Sequence, residues 1–326
     1  MSESIKQRTN SMANHRDADA MRKVLSSVLT DLQTLRAANC GLLFGSATYN
    51  PPSLLDAGGV TTNVVVTGAV LGDIVAAVSF SLSLQGITIS AYVSAADTVS
   101  VRFQNESGGT LDLASGTLRV VVLPYQSMVA GEGMLRGSAV YDTASLADGA
   151  GATATVTVPG AALNDFAMGS FGVDLQGITT TYYVSATGVV SARIQNESGG
   201  TIDLASTTIR VRVLPNTLFG TVQAFAALPG HLTGTATYDA SSLVDAAGET
   251  TTVTVTGAAL GDLAIVALNV DLAGMLFTPY VSAADTVSVR LQNETAGTLN
   301  LASVNLTARV FPAGVFTTAA ALNTLA

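Results

Sequence analysis

The chain repeats itself three times, and this constrains its fold more than any other feature. Gly45-Ser-Ala-Thr-Tyr49 returns as Gly137-Ser-Ala-Val-Tyr141 and as Gly234-Thr-Ala-Thr-Tyr238. Tyr92-Val-Ser-Ala95 returns at Tyr183 and Tyr280, and Gln104-Asn105-Glu106 returns at Gln195 and Gln292. Asp112-Leu-Ala-Ser115 returns as Asp203-Leu-Ala-Ser206 and Asn300-Leu-Ala-Ser303. Each copy closes on an apolar run and a proline, at Pro124, Pro215 and Pro312. The copies span 45–124, 137–215 and 234–312, or 80, 79 and 79 residues. Solenoid repeats of about 20–50 residues must stack to bury a core, whereas units of this length can each hold one. The expectation is therefore three domains in tandem, like beads on a string, joined by connectors 125–136 and 216–233. The second connector carries Leu218, Phe219, Val222, Phe225 and Leu228, too many apolar residues for an exposed linker. It is expected to pack on a domain or on another chain. Residues 1–44 form an arm ahead of the repeats, and 313–326 form a C-terminal tail.

Within a copy the pattern is that of strands. In the third, Thr235–Tyr238 and Thr250–Thr256 alternate apolar and polar residues, the period of half-buried strands. Ala264–Leu272 is more continuously apolar and reads as a central strand. Phe277–Ser282, Thr286–Gln292 and Ser303–Phe311 complete six runs, divided by turn residues at Gly257, Gly261-Asp262, Ala273-Gly274, Ala284-Asp285 and Asn293–Gly297. Short strands at this spacing indicate antiparallel β-sandwich or jelly-roll-like domains, so the chain reads as mainly β. Composition agrees. Only 11% of residues are charged against 48% apolar, so Thr, Ser, Asn, Gln and Gly must cover the surface. Branched Val and Thr suit the pleated sheet.

The arm follows another rule. Met21, Leu25, Val28, Leu32 and Leu35 are spaced 4, 3, 4, 3, a heptad seam for a short α-helix. Asp17 or Asp19 suits its N-terminal cap, and Arg36 its last turn. Two roles stay open for this helix: an oligomerisation seam, with a homotrimer as the expected product, or an amphipathic face packed on the first domain. Residues 1–38 carry six basic and four acidic side chains, whereas the whole chain has a net charge of −9. A weakly basic arm on an acidic body suggests different partners at the two ends, and the acidic body argues against nucleic-acid binding.

A search for chemistry returns little. Cys40 stands alone, so neither a disulfide framework nor a thiolate site forms within the chain. His15 and His231 have no partner at metal-ligand spacing. Motifs for nucleophilic, phosphate-binding or paired-carboxylate catalysis do not occur, and no cofactor, metal or enzymatic role is expected. A membrane span of about 18 apolar residues is missing too, and the polar N-terminus lacks a signal core, so assembly in the cytoplasm is expected. The remaining candidates are Arg102 with Gln104, Arg193 with Gln195, and Arg290 with Gln292. Each pair lies two residues apart and shares a strand face. They read either as a ligand-facing position repeated per domain, for a sugar or a carboxylate, or as an exposed strand ending in a turn. Asn105, Asn196 and Asn293 each open an Asn-x-Ser/Thr sequon. Asp73, Asp165 and Asp262 read as turn formers.

Two segments carry a resemblance: Tyr238-Asp-Ala-Ser-Ser-Leu-Val-Asp-Ala-Ala-Gly-Glu-Thr-Thr-Thr-Val-Thr-Val-Thr-Gly-Ala-Ala-Leu-Gly-Asp262, and Tyr280-Val-Ser-Ala-Ala-Asp-Thr-Val-Ser-Val-Arg-Leu-Gln-Asn-Glu294. They resemble a β domain of tailed-bacteriophage virion proteins, in which a helical or coiled-coil anchor precedes one or more such domains. The resemblance covers about 45–312. It implies a structural protein on the virion surface: a head fibre or decoration protein attached to the capsid or another virion protein through residues 1–44. The alternative it leaves open is a head or tail fibre that recognises host surface glycans. Phe277 and Pro279, on the approach to the shared Tyr280, are a small sign of specialisation in the third copy. The family supplies no catalytic residues.

Overall fold

The structure is a computed structural model that describes residues 42–125, 134–217 and 232–313. The expected helix with Met21, Leu25, Val28, Leu32 and Leu35, most of both connectors, His15, His231, Cys40 and the tail beyond Ala313 lie outside the described residues. Each described stretch is one repeat of six antiparallel strands. In the first unit these are β1 (Leu43–Tyr49), β2 (Gly59–Val65), β3 (Ile74–Phe80), β4 (Ile87–Ala95), β5 (Thr98–Asn105) and β6 (Gly116–Leu123). The second unit has β7 (Leu135–Tyr141), β8 (Gly151–Thr157), β9 (Phe166–Phe171), β10 (Thr179–Ala186), β11 (Val189–Gln195) and β12 (Thr207–Leu214). The third has β13 (Leu232–Tyr238), β14 (Gly248–Thr254), β15 (Leu263–Leu268), β16 (Leu276–Ala283), β17 (Thr286–Gln292) and β18 (Val304–Phe311).

Two three-stranded sheets face each other in every unit. In the first their orders are β1-β6-β3 and β2-β5-β4, and the other two units repeat this. Only β4 and β5 form a hairpin within one sheet; every other connection in the unit crosses to the opposite sheet. The central strands β5 and β6 are buried along most of their length, whereas the outer strand β2 alternates exposed positions (Gly59, Thr61, Asn63 and Val65) with inward ones. The two inner faces share one core, with Val64, Val99, Val101, Leu118, Val120 and Val122 at its centre. Phe103 stands edge-on to Phe80 at 5.5 Å and against Tyr49 at 5.4 Å, which locks the rings in favourable quadrupole geometry. Fully burying each such aliphatic or aromatic side chain contributes roughly 1.5–3 kcal/mol.

β1 enters each unit where β6 leaves, since Leu43 pairs with Val122. Chain entry and exit therefore share one end of the sandwich. Asp73 fastens that end: its carboxylate accepts the N–H of Val70 at 3.0 Å and that of Tyr125, just past Pro124, at 2.9 Å. Asp165 does the same for Ala162 and Asn216, and Asp262 for Ala259 and Ala313. The turn-forming aspartates thus also tie down the outgoing chain.

The expectation of independent beads is corrected. The units touch one another, and each in the same way: the first reaches the second, the second the third, and the third the first. β3, β9 and β15 contact one another pairwise, as do β4, β10 and β16. Three equivalent joints in cyclic order define a ring about a pseudo-threefold axis, lined by the β3-type and β4-type edges of all units. Phe166, Leu214 and Ala267 form an apolar cluster where the second and third units meet. The ring also explains β15. The continuous apolar run there reads as a central strand in sequence, but β15 is an edge strand of its sheet. Its second flank is covered by neighbouring units instead of a sheet partner.

Candidate functional site: the joints between units

Arg102 and Gln104 lie on one face of β5, the centre of the sheet β2-β5-β4. Arg102 donates from Nη2 to Gln104 Oε1 at 2.6 Å and to the main-chain oxygen of Glu197, in the second unit. Arg193 repeats this with Gln195 and the main-chain oxygen of Glu294, and Arg290 with Gln292 and that of Glu106, which closes the circle. The strand is not the exposed one that the sequence suggests: Arg102 and Arg193 are 6% exposed and Arg290 9%. All six residues face a neighbouring unit or the interior. Space for the guanidinium comes from Gly59, which pairs with Gln104; a Cβ there would overlap both the Arg102 guanidinium and Gln104 Oε1. Gly151 and Gly248 stand in the same relation to the other two pairs.

Gln104 then donates from Nε2 to the Ala57 carbonyl at 3.0 Å and to Glu106 Oε1 at 2.8 Å. Asn105 is fully buried, and its amide donates to the carbonyls of Leu54 and Gly109. Asn196 and Asn293 do likewise, so the sequon amides hold loops in place inside each unit. A second clamp per joint is missing from the sequence reading. The N–H of Gly177 donates to the Tyr92 hydroxyl at 2.8 Å, that of Gly274 to Tyr183 at 2.9 Å, and that of Gly86 to Tyr280. The repeated Tyr-Val-Ser-Ala motif was its available signal, but no residue near it in the chain discloses a partner in another copy.

The charges crowd together. Burial raises the pKa of Glu106, Glu197 and Glu294 above the usual carboxylate range, and the Gln hydrogen bonds oppose that shift. Glu294 is raised to about 7, chiefly by burial, with Glu197, Glu106 and Asp245 adding negative charge around it. Burial pulls the three guanidiniums down, and nearby Tyr and Glu groups pull back. Towards the chain-entry end the joints use other contacts. Ser79 donates to the Gly261 carbonyl at 3.0 Å and Ser170 to that of Gly72 at 2.7 Å. The Tyr125 ring lies under both Arg210 and Arg212, at 5.2 and 4.8 Å, and Arg212 donates to its carbonyl.

Outside the joints, an open dimple of about 510 Å³ lies between Asp142–Ser145 and Asp203–Ala205. Phe277 lies beside Tyr182 and Ala267 at the joint of the second and third units, and Pro279 sits within β16 opposite Val289. Among the described residues, no group of three or more His, Cys, Asp or Glu side chains is placed to hold a metal ion. No described helix is long and apolar enough to cross a membrane. No protein-family model, curated protein or solved structure matches the chain.

Proposed function

We propose that this chain is a structural protein of a tailed-phage particle, a head fibre or decoration protein whose β ring is held on the virion surface by residues 1–44. The observation that carries this reading is where the repeated polar residues go. Arg102, Gln104 and their counterparts, the best candidates for a ligand site in every copy, are buried and bonded between units. The repeat is thus used to build a closed, stiff body, and we assign it no catalytic step. The fold is proposed to be a shortened jelly roll: apart from the β4–β5 hairpin and its counterparts, successive strands alternate between two sheets, and the last two become the central ones. One chain already supplies three β units about an axis. We therefore assign Met21, Leu25, Val28, Leu32 and Leu35 first to attachment, with self-association as a second use of the same seam.

The test is co-sedimentation of the protein with purified particles, full-length beside a variant lacking residues 1–38. Full-length protein should travel with particles, and the truncated ring should stay in the supernatant with unchanged β circular dichroism. A truncated ring that still binds particles overturns the anchor. A full-length protein that binds only host cells, or a glycan array, supports the receptor-binding alternative.

A further inference from the structure

The three joints differ, and their differences match in pairs. We propose that each unit carries a recognition surface that fits one particular neighbour, so that the ring closes in a single cyclic order. Three tandem units with head-to-tail joints can be ordered round an axis in two ways, first-second-third or first-third-second. Identical joints would accept both.

The positions equivalent to one another on β6, β12 and β18 are Arg119, Arg210 and Thr307. Each faces a turn of a neighbour. Arg119 faces Gly261 and Arg210 faces Gly72. Both glycines have left-handed φ, 90° and 91°, and both leave room for the guanidinium. A Cβ on Gly72 would overlap Arg210 Nη1, and one on Gly261 would lie 2.7 Å from Arg119 Nη1. The third turn has a side chain, Asn164, at φ 74°. It is faced by the one threonine, and Thr307 Oγ1 donates to Asn164 Oδ1 at 2.9 Å. In the reverse order Arg119 would meet the Cβ of Asn164, and Thr307 would face the bare turn at Gly72.

A second set of positions selects the same order. Arg212 reaches the carbonyl and ring of Tyr125, and Arg309 donates to Asn216 Oδ1 at 3.1 Å. The equivalent residue of the first unit, Val121, has no charge to place, and by symmetry it falls to the joint with Ala313. Reversal would set Arg212 against Ala313 and take its aromatic partner away. Charge and side-chain volume thus agree at both sets.

The test uses the full chain and reads thermal melting with light scattering. Thr307→Arg alone mismatches one joint and should lower Tm by about 4 °C or more. Adding Asn164→Gly should restore most of the loss, because the joint becomes an Arg–Gly pair like the other two. Moving the key, with Gly72→Asn and Arg210→Thr added to that double variant, should also leave Tm near the parent's and the mass unchanged. Additive losses, or a moved key no better than a single mismatch, overturn the proposal. If the arginine variant fails to fold, Gly72→Ala serves instead. It should lower Tm by more beside Arg210 than beside Arg210→Ser, the strain of the left-handed φ being common to both; equal losses in the two backgrounds also overturn the matching rule.

Discussion

At the residue scale, the axial end of the ring is held by guanidiniums that bond main-chain oxygens across units while three carboxylates gather beside them. Glu294 titrates near 7 in the folded chain against about 4.3 when unfolded. A raised carboxyl pKa means that the folded state binds the proton more tightly. The stabilisation is complete below about pH 4.3 and fades as pH rises through 7. Melting between pH 8 and pH 5.5 should therefore show Tm rising as pH falls, and Glu294→Gln should flatten that rise; an unchanged slope would remove Glu294 as its source. Tyr183→Phe deletes only an oxygen, yet it leaves the buried N–H of Gly274 without an acceptor. Urea unfolding should show a loss of about 1–3 kcal/mol. The Arg-x-Gln-Asn-Glu pattern and the need to explain it were legible in the sequence. Its bonding was not, because Arg102 and Glu197 are 95 positions apart and lie in different copies.

At the element scale, the strands were legible and their surroundings were not. Alternation at Thr250–Thr256 marks a half-buried strand, and β14 is found there. Turn chemistry placed the hairpin at Ala284-Asp285, where Asp285 has φ 58°. Burial alone misled at Ala264–Leu272, because a strand covered by a sheet partner and an edge covered by another unit leave the same apolar run. That ambiguity has an energetic consequence. Exposed edges template aggregation, and here the β3-type and β4-type edges are hidden at the axis. Ala267→Asp in β15 should expose the difference, since Ala267 packs on Phe166 and Leu214 of the second unit. A buried, unpaired charge there is expected to cost about 3 kcal/mol or more and to broaden the size-exclusion peak. A variant with parental stability and a sharp peak would show that this joint is wet.

At the scale of the whole molecule, the joints couple units that length alone would let fold separately. Calorimetry on the full chain is expected to give one cooperative transition, with calorimetric and van't Hoff enthalpies in agreement. Three resolved transitions would mean that the joints contribute little. The shared position of chain entry and exit adds a second expectation. A circular permutant that joins the C-terminal tail to residue 42 and opens the chain between 126 and 133 should build the same ring, judged by its melting temperature and mass.

The unequal joints have a bearing on how such a body can sit on anything else. Three identical subunits look the same after every third of a turn, so they meet a partner in three indistinguishable settings. Here one sector carries Asn164 and Thr307 where the others carry glycine and arginine. A single chain with sectors that can be told apart has a bearing about its own axis. A partner without threefold symmetry could hold it facing one way, and natural variation could alter one sector while the other two keep the ring shut.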